Sequence, residues 1–303
     1  MPTEIKKPSI TKIKEKLFSD LGLELSMLRL DEIHPEVNGN KWYKLKYNLE
    51  ACEREDKKML VSCGGPFSNH IAALAAAGKL YGFSTGAVIR GEEHAPLNPT
   101  LAKAALLGMQ FVYTDRATYR DKFKVQELAA HHFGGDSFWI PEGGSNAWGL
   151  MGCMEILNTI KESPDWICCA CGTGITVAGI AASSKGRNKV WAFPALKGAD
   201  FLKNAAEGWV GKTVASEINF INDYHFGGYG KVTKELIDFV SFFREKHDIQ
   251  LDYIYNGKMM YGIYDLAGKG LFKQGSRILA IHSGGIQGNE GFAINKELLE
   301  IGE

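Results

Sequence analysis

An α/β fold built on mainly parallel strands is what this sequence predicts, and three observations predict it. Short apolar runs alternate with helical patterns from residue 59 onward, the runs end in glycine-rich polar loops, and several of those loops open alanine-rich helices. Strands separated by helical segments imply parallel pairing with helices covering both faces of the sheet. No long low-complexity linker and no exact internal repeat divides the chain, so what recurs is the strand, loop and helix logic alone.

The first element is NGNKWYKLKYNLEACERED, residues 38–56, a turn passing into an amphipathic helix. Gly39 supplies a turn conformation closed to most side chains, Asn40 can cap the helix, and Leu45, Leu49 and Cys52 recur at helical spacing. Lys41 then projects from the first turn. Taken alone, such a lysine is a solvated surface residue; fixed at a helix start, it is also a candidate carrier for an electrophile. Residues 59–63 follow as a short strand, and Ser68 or Asn69 starts a helix toward Gly78. Ser68, Asn69 and His70 are left at the strand's C-terminal edge beside unpaired helix amides, where a carboxylate or cofactor anion is favoured over a plain capped helix.

The alternation continues through the strand FSTGAVIR, a helix opened by Asn98 and Pro99, the strand MQFVYT, a helix over 119–132, the strand and turn DSFWIPEGG, and a helix over 146–159. A strand over 166–170 leads into CGTGITVAGIAAS. Gly172 and Gly174 permit close backbone approach while Thr173 and Thr176 bring hydroxyls to a helix start, an arrangement able to cradle a phosphate, although a tight turn remains the other reading. Neither a Walker lysine nor a three-glycine dinucleotide fingerprint is present. KVWAFPALKG adds a strand and crossover. Tyr229 sits in a glycine-rich loop before an amphipathic helix, Tyr255, Asn256 and Lys258 cluster in YNGK, and the strand ending in HSGG offers His282 and Ser283.

Composition narrows the function. The 303 residues carry 35 basic and 35 acidic side chains, with 45% hydrophobic and 23% charged residues. Such a balance is that of an ordinary globular protein with no nucleic-acid or membrane partner, and without a secretory leader pattern the cytosol is the expected address. Six cysteines in a chain this long make neither a disulfide scaffold nor a zinc spacing, so no metal is expected. Cys168, Cys169 and Cys171 read as buried strand residues, with Cys171 placed to line a pocket.

A lysine, an anion-holding glycine loop and several strand-end hydroxyls suit pyridoxal 5'-phosphate better than a redox nucleotide, because a lysine amine forms a Schiff base with it. The chain resembles the fold-type II pyridoxal-phosphate enzymes of the group containing 1-aminocyclopropane-1-carboxylate deaminase and D-cysteine desulfhydrase. The motifs that carry the resemblance are GNKWYKLKY, GGPFSNH, IPEGGSNAWG, CGTGITVAG, GGYG, YNGK and HSGG, in that order over nearly the whole chain. It implies two open, twisted, mainly parallel α/β/α domains of the tryptophan synthase beta type, facing one cofactor cleft. The larger would take residues 1–50 and 160–303, the smaller 51–159, and the protein would be a homodimer.

The same resemblance implies roles. Lys41 is similar to the Schiff-base lysine and Lys44 to the phosphate-side lysine. Cys171, Gly172, Thr173, Gly174, Ile175 and Thr176 would hold phosphate, with Asn69 beside the ring. Ser68, Asn69 and His70 would meet a small amino-acid substrate, with Tyr229 and Tyr255 as the two active-site tyrosines; read from sequence alone, each tyrosine also fits simple packing. Two departures from the family pattern bear on the reaction. Trp42 and Tyr43 replace a small residue and an arginine, and Asn256 stands where the deaminases carry an acid near the pyridine nitrogen. A neutral amide, with Ser283 as a hydroxyl partner, makes a weaker electron sink than a carboxylate. The expected activity is therefore β-elimination and deamination of a small amino acid, D-cysteine giving pyruvate, ammonia and hydrogen sulfide. The alternatives are deamination of 1-aminocyclopropane-1-carboxylate to 2-oxobutanoate and ammonia, and an amino-acid-binding or regulatory protein whose cleft is narrowed by Trp42 and Tyr43.

Overall fold

The computed structural model describes residues 5–292. Two sheets organise them. The larger has the order β1-β2-β10-β7-β8-β9, from Ser9–Ile13, Glu24–Arg29, Arg277–His282, Trp166–Cys171, Lys189–Pro194 and Ile218–Phe220. Only the β1 and β2 pair is antiparallel. The smaller sheet, β5-β4-β3-β6, is parallel throughout and comprises Gln110–Thr114, Ser84–Arg90, Met59–Gly64 and Ser137–Trp139.

Helices cover both faces of each sheet: α1 (Lys16–Asp20), α2 (Gly39–Arg54), α3 (Asn69–Tyr81), α4 (Pro99–Leu106), α5 (Arg116–Arg120), α6 (Lys122–Phe133), α7 (Ala147–Cys153), α8 (Ile175–Ser184), α9 (Phe201–Ala215), α10 (Lys234–His247) and α11 (Asn256–Gly268). The strand pleat explains the double cover. Along β7, Trp166, Cys168 and Ala170 join the apolar cluster under α10 and α11, while Ile167, Cys169 and Cys171 join the one under α8 and α9. The three cysteines are thus core residues of a central strand, and burial pushes the Cys171 thiol up to about 12.

Local chemistry sets most of the boundaries expected from sequence. Ser68 caps α3 by accepting from the Ile71 amide, Asn98 caps α4 from the Leu101 amide, and Thr233 caps α10 from the Leu236 amide. The helix expected over 119–132 is two, because Asp121 ends α5 and accepts from the Phe123 and Lys124 amides to start α6. The helix expected over 146–159 stops at Cys153, and Ile156–Thr159 tightens to a 3₁₀ turn.

The placement of α2 matters most for the site. Leu45, Leu49 and Cys52 pack into the core of the smaller sheet, and Tyr43 packs into that of the larger. The helix therefore lies along the seam, with its first turn at the cleft. Asn40 is not its cap: Asn38 holds that position and Asn40 is buried inside the first turn. Gly39, at φ +64°, is forced by the approach of the strand-end loop, since a Cβ there would lie 2.0 Å from the Ser283 carbonyl oxygen.

Candidate active site

A cavity of about 610 Å³ opens where strands of both sheets end. Of the residues expected to bind or react, Lys41, Lys44, Ser68, Asn69, His70, Cys171, Gly172, Thr173, Gly174, Thr176, Tyr229, Tyr255 and Ser283 all line it. Ile175 and Asn256 do not. The Ile175 side chain turns into the core and is fully buried, and Asn256 lies behind Ser283.

Lys41 Nζ donates to Asn40 Oδ1 at 2.7 Å, while Asn40 Nδ2 donates to Thr176 Oγ1 at 3.0 Å. The buried asparagine so ties the lysine to the glycine loop. Burial, reinforced by the Lys44 ammonium, pushes the Lys41 amine from its ordinary 10.5 down to about 7. At neutral pH a large share of it is therefore unprotonated, which is the form that attacks a carbonyl carbon.

The far wall is built for an anion. Gly174, at φ +85°, stands at the N-terminus of α8 with no side chain capping that helix, so the first-turn amides stay open toward the cavity. Lys44 is buried and has no carboxylate or hydrogen-bond acceptor among the described residues; burial lowers its pKa. His70 Nε2 pairs with Ser62 Oγ at 2.9 Å while its buried Nδ1 has no hydrogen-bond partner among the described residues. A buried cation without an acceptor, an orphan ring nitrogen and an uncapped helix fit the phosphate of pyridoxal phosphate, which supplies the missing acceptors.

At another edge the hydrogen-bond polarity is fixed by chemistry. Asn256 Nδ2 donates to Asp252 Oδ2 at 2.7 Å and to the Gly284 carbonyl at 2.8 Å, which leaves Oδ1 to accept from the Ser283 amide at 2.9 Å and from Ser283 Oγ at 3.2 Å. Both ends of the amide are spent, so Asn256 holds Ser283 in place rather than meeting a ligand. Asp252 is buried behind it and accepts from the amides of residues 254, 255 and 256. Burial raises its carboxyl pKa.

Tyr229 and Tyr255 stand edge to face with ring centroids 6.2 Å apart. Burial, then the neighbouring Tyr229, raises the Tyr255 phenol well above its ordinary value, so it stays protonated. Lys258 lies outside the cavity lining, where its Nζ donates to the His225 and Gly228 carbonyls and secures the loop that carries Tyr229. Asn69 Oδ1 accepts from Gln287 Nε2 at 2.8 Å, which joins the helix of one sheet to the strand-end loop of the other.

Trp42 and Tyr43 do not narrow the cleft. Trp42 stacks on Tyr81 at 6.0 Å and Tyr43 is buried, since successive helical residues point about 100° apart and it is Asn40, Lys41 and Lys44 of α2 that line the cavity. Sequence reasoning passed over Asn40 as a lining residue, along with Arg90, Glu142 and Phe201. Arg90 closes a parallel strand, and strand C-termini are where ligands gather, so that signal was present. Phe201 opens α9, whose head carries no side-chain cap bond.

The cleft between two α/β layers brings a near-neutral lysine to an anion cradle, a pairing that suits an enzyme with an anionic carbonyl cofactor. The chain belongs to the pyridoxal-phosphate dependent enzyme family, whose sequence pattern it matches over residues 12–284. A Pyrococcus abyssi protein provisionally named a 1-aminocyclopropane-1-carboxylate deaminase is 29% identical, covering 94% of this chain and 91% of its own. The bifunctional D-cysteine desulfhydrase/1-aminocyclopropane-1-carboxylate deaminase of Arabidopsis thaliana mitochondria is 27% identical over 88% of this chain and 73% of its own. A solved structure described as an ACC deaminase homologue shares the fold at TM-score 0.82 and 24% identity, covering 97% of this chain and 94% of that one. The cofactor is pyridoxal 5'-phosphate and the protein is a pyridoxal-phosphate enzyme of the deaminase and desulfhydrase type.

Proposed function

We propose that this enzyme catalyses β-elimination and deamination of a small amino acid, with D-cysteine as the first substrate to test. When bound, the cofactor accepts the electron pair released at the substrate's α carbon. Lys41 carries it, Lys44, His70 and the amides of residues 172–176 hold its phosphate, and Ser68 and Asn69 orient the substrate. The Lys41 amine, near neutral in pKa, takes the α proton. Tyr255 keeps its proton at all working pH values and is the donor toward the leaving group.

The observation that carries this reading is the Asp252, Asn256 and Ser283 chain, which presents a hydroxyl to the cavity and keeps the carboxylate behind an amide. Elimination has a leaving group to take up the electron pair, whereas opening an unactivated cyclopropane demands a stronger sink. The second reading, 1-aminocyclopropane-1-carboxylate deamination, is favoured by the names of the relatives, one of them bifunctional. The binding-protein alternative loses its structural ground with Trp42 and Tyr43 off the cleft. A cytosolic homodimer goes with the reading, and gel filtration tests its size.

Absorbance of the holoenzyme during addition of D-cysteine, with sulfide and pyruvate assayed in the same samples, decides between the two. Equal amounts of both products support elimination. A 2-oxobutanoate product from 1-aminocyclopropane-1-carboxylate, without sulfide from D-cysteine, replaces it with the second reading.

A further inference from the structure

Arg90, the last residue of β4, lines two cavities. One is the cleft of Lys41; the other, of about 510 Å³, is lined by Arg90, Arg116, Tyr119, Arg120, Lys122 and Glu142. Arg116 and Arg120 are four apart on α5 and so share a helix face. The charges in this second cavity do not balance. Glu142 is its one carboxylate and is already engaged, accepting from the Tyr119 hydroxyl at 2.8 Å and from Lys122 Nζ at 2.7 Å. The acids flanking α5 are spent as well: Asp115 accepts from the amides of residues 117 and 118 and the Thr118 hydroxyl, and Asp121 from those of residues 123 and 124.

Arg90, Arg116 and Arg120 consequently have no acceptor among the described residues, although a guanidinium offers five donors in a fork that fits a planar or tetrahedral anion. The Arg90 guanidinium lies over the Tyr119 ring at 5.5 Å and against the substrate-side loop, where a Cβ on Gly65 would sit 3.2 Å from its Nη2. It stands at the doorway between the reacting lysine and the cationic pocket.

We propose that the reacting amino acid carries a second negative charge on its β substituent, and that Arg90, Arg116 and Arg120 receive that group. The proposal rests on the elimination reading above and exchanges the thiol for an anionic leaving group. The Cα proton passes to the Lys41 amine, and the Cβ–X bond breaks with both electrons on X, which leaves as an anion into the arginine pocket. Water then converts the remaining enamine to pyruvate and ammonia, with no oxidant or reductant needed.

The test titrates holoenzyme with O-phosphoserine and with serine, each in both hands, and reads the dissociation constants from the cofactor absorbance. The phosphorylated form of one hand is expected to bind at least about tenfold more tightly than the matching serine, the worth of a charged hydrogen bond. That ratio is expected to collapse toward one in Arg90→Ala and in the Arg116→Ala, Arg120→Ala double variant, to recover partly in Arg90→Lys, and to shrink in wild type as salt is added. The salt series needs no variant, so it stands even where a substitution fails to fold. Serine and O-phosphoserine binding alike in wild type, or variants weakening both equally, overturn the proposal and leave elimination intact. No spectral response to any amino acid, D-cysteine included, sinks the elimination reading and the proposal with it.

Discussion

Two strand-loop-helix units face each other across the cleft and are built alike up to their last turn. After β3, GGPFSN leads into α3; after β7, CGTG leads into α8. The first helix is closed by its own residue, the Ser68 hydroxyl accepting from the Ile71 amide, while the second, headed by Gly174, has no side-chain cap. A capped terminus has less to offer an anion through its backbone and displays side chains instead, here Ser68, Asn69 and His70. An uncapped one displays amides. One architecture thus yields a loop that displays side chains and a loop that displays amides, and the difference comes down to a single side chain at the cap.

The comparison breaks most completely if the open end is closed. Gly174→Asp places a carboxylate at the head of α8, where it both caps the amides and repels phosphate. Cofactor affinity, followed by absorbance titration, is expected to fall about 100-fold, close to ~3 kcal/mol; Gly174→Ala separates the strain of the left-handed backbone from the charge. Next in size is a pH effect on the lysine between the loops. The folded value for Lys41, about 7, lies below the ordinary 10.5, so the unfolded chain binds more protons in that window. Stability of the cofactor-free protein should therefore rise as pH climbs from about 7 toward 10, by on the order of 3 kcal/mol, and urea melts of Lys41→Met should show a shallower rise.

Lys44→Met sharpens the contrast by moving two quantities in opposite directions. Cofactor affinity should drop about tenfold, while the cofactor-free protein gains about 1 kcal/mol because a buried cation without a partner is gone. Calorimetry with and without cofactor reads both. The smallest effect belongs to the closed loop. Ser68→Ala should cost about 1 kcal/mol of stability and Ser68→Gly a few tenths, with cofactor affinity within about twofold of wild type, since the cap and not the phosphate is lost. A large loss of cofactor in Ser68→Ala would erase the distinction between the loops.

The parts legible in the sequence were those written in local chemistry. Caps such as Ser68 and Asn98, glycines at strand ends and the alternation of periods place most of β3 through α8 and 13 of the residues lining the cleft. What could not be read depends on which face of an element packs inward. Trp42 and Tyr43 sit beside Lys41 in the chain and point away from it in space. Asn256 is one side chain short of the cavity because Asp252, four residues upstream on the approach to α11, holds its amide. The N-terminal β1, α1 and β2 carry no glycine-loop signature, and β1 makes the one antiparallel pairing of the larger sheet. Arg90 looks like the polar end of an ordinary strand until α5 brings Arg116 and Arg120 alongside.

β10 lies in the middle of its sheet although it is the last strand of the chain among those described, pairing with β2 on one side and β7 on the other. Until it inserts, β2 and β7 present bare edges, and the Ser283 carbonyl that receives the Asn40 amide is missing. Contacts so distant along the chain close late and slowly. On the ribosome, the six earlier motifs' worth of helices and strands can form in sequence while the lysine waits without its wall, so competence to take up cofactor arrives in one step, with the last described strand.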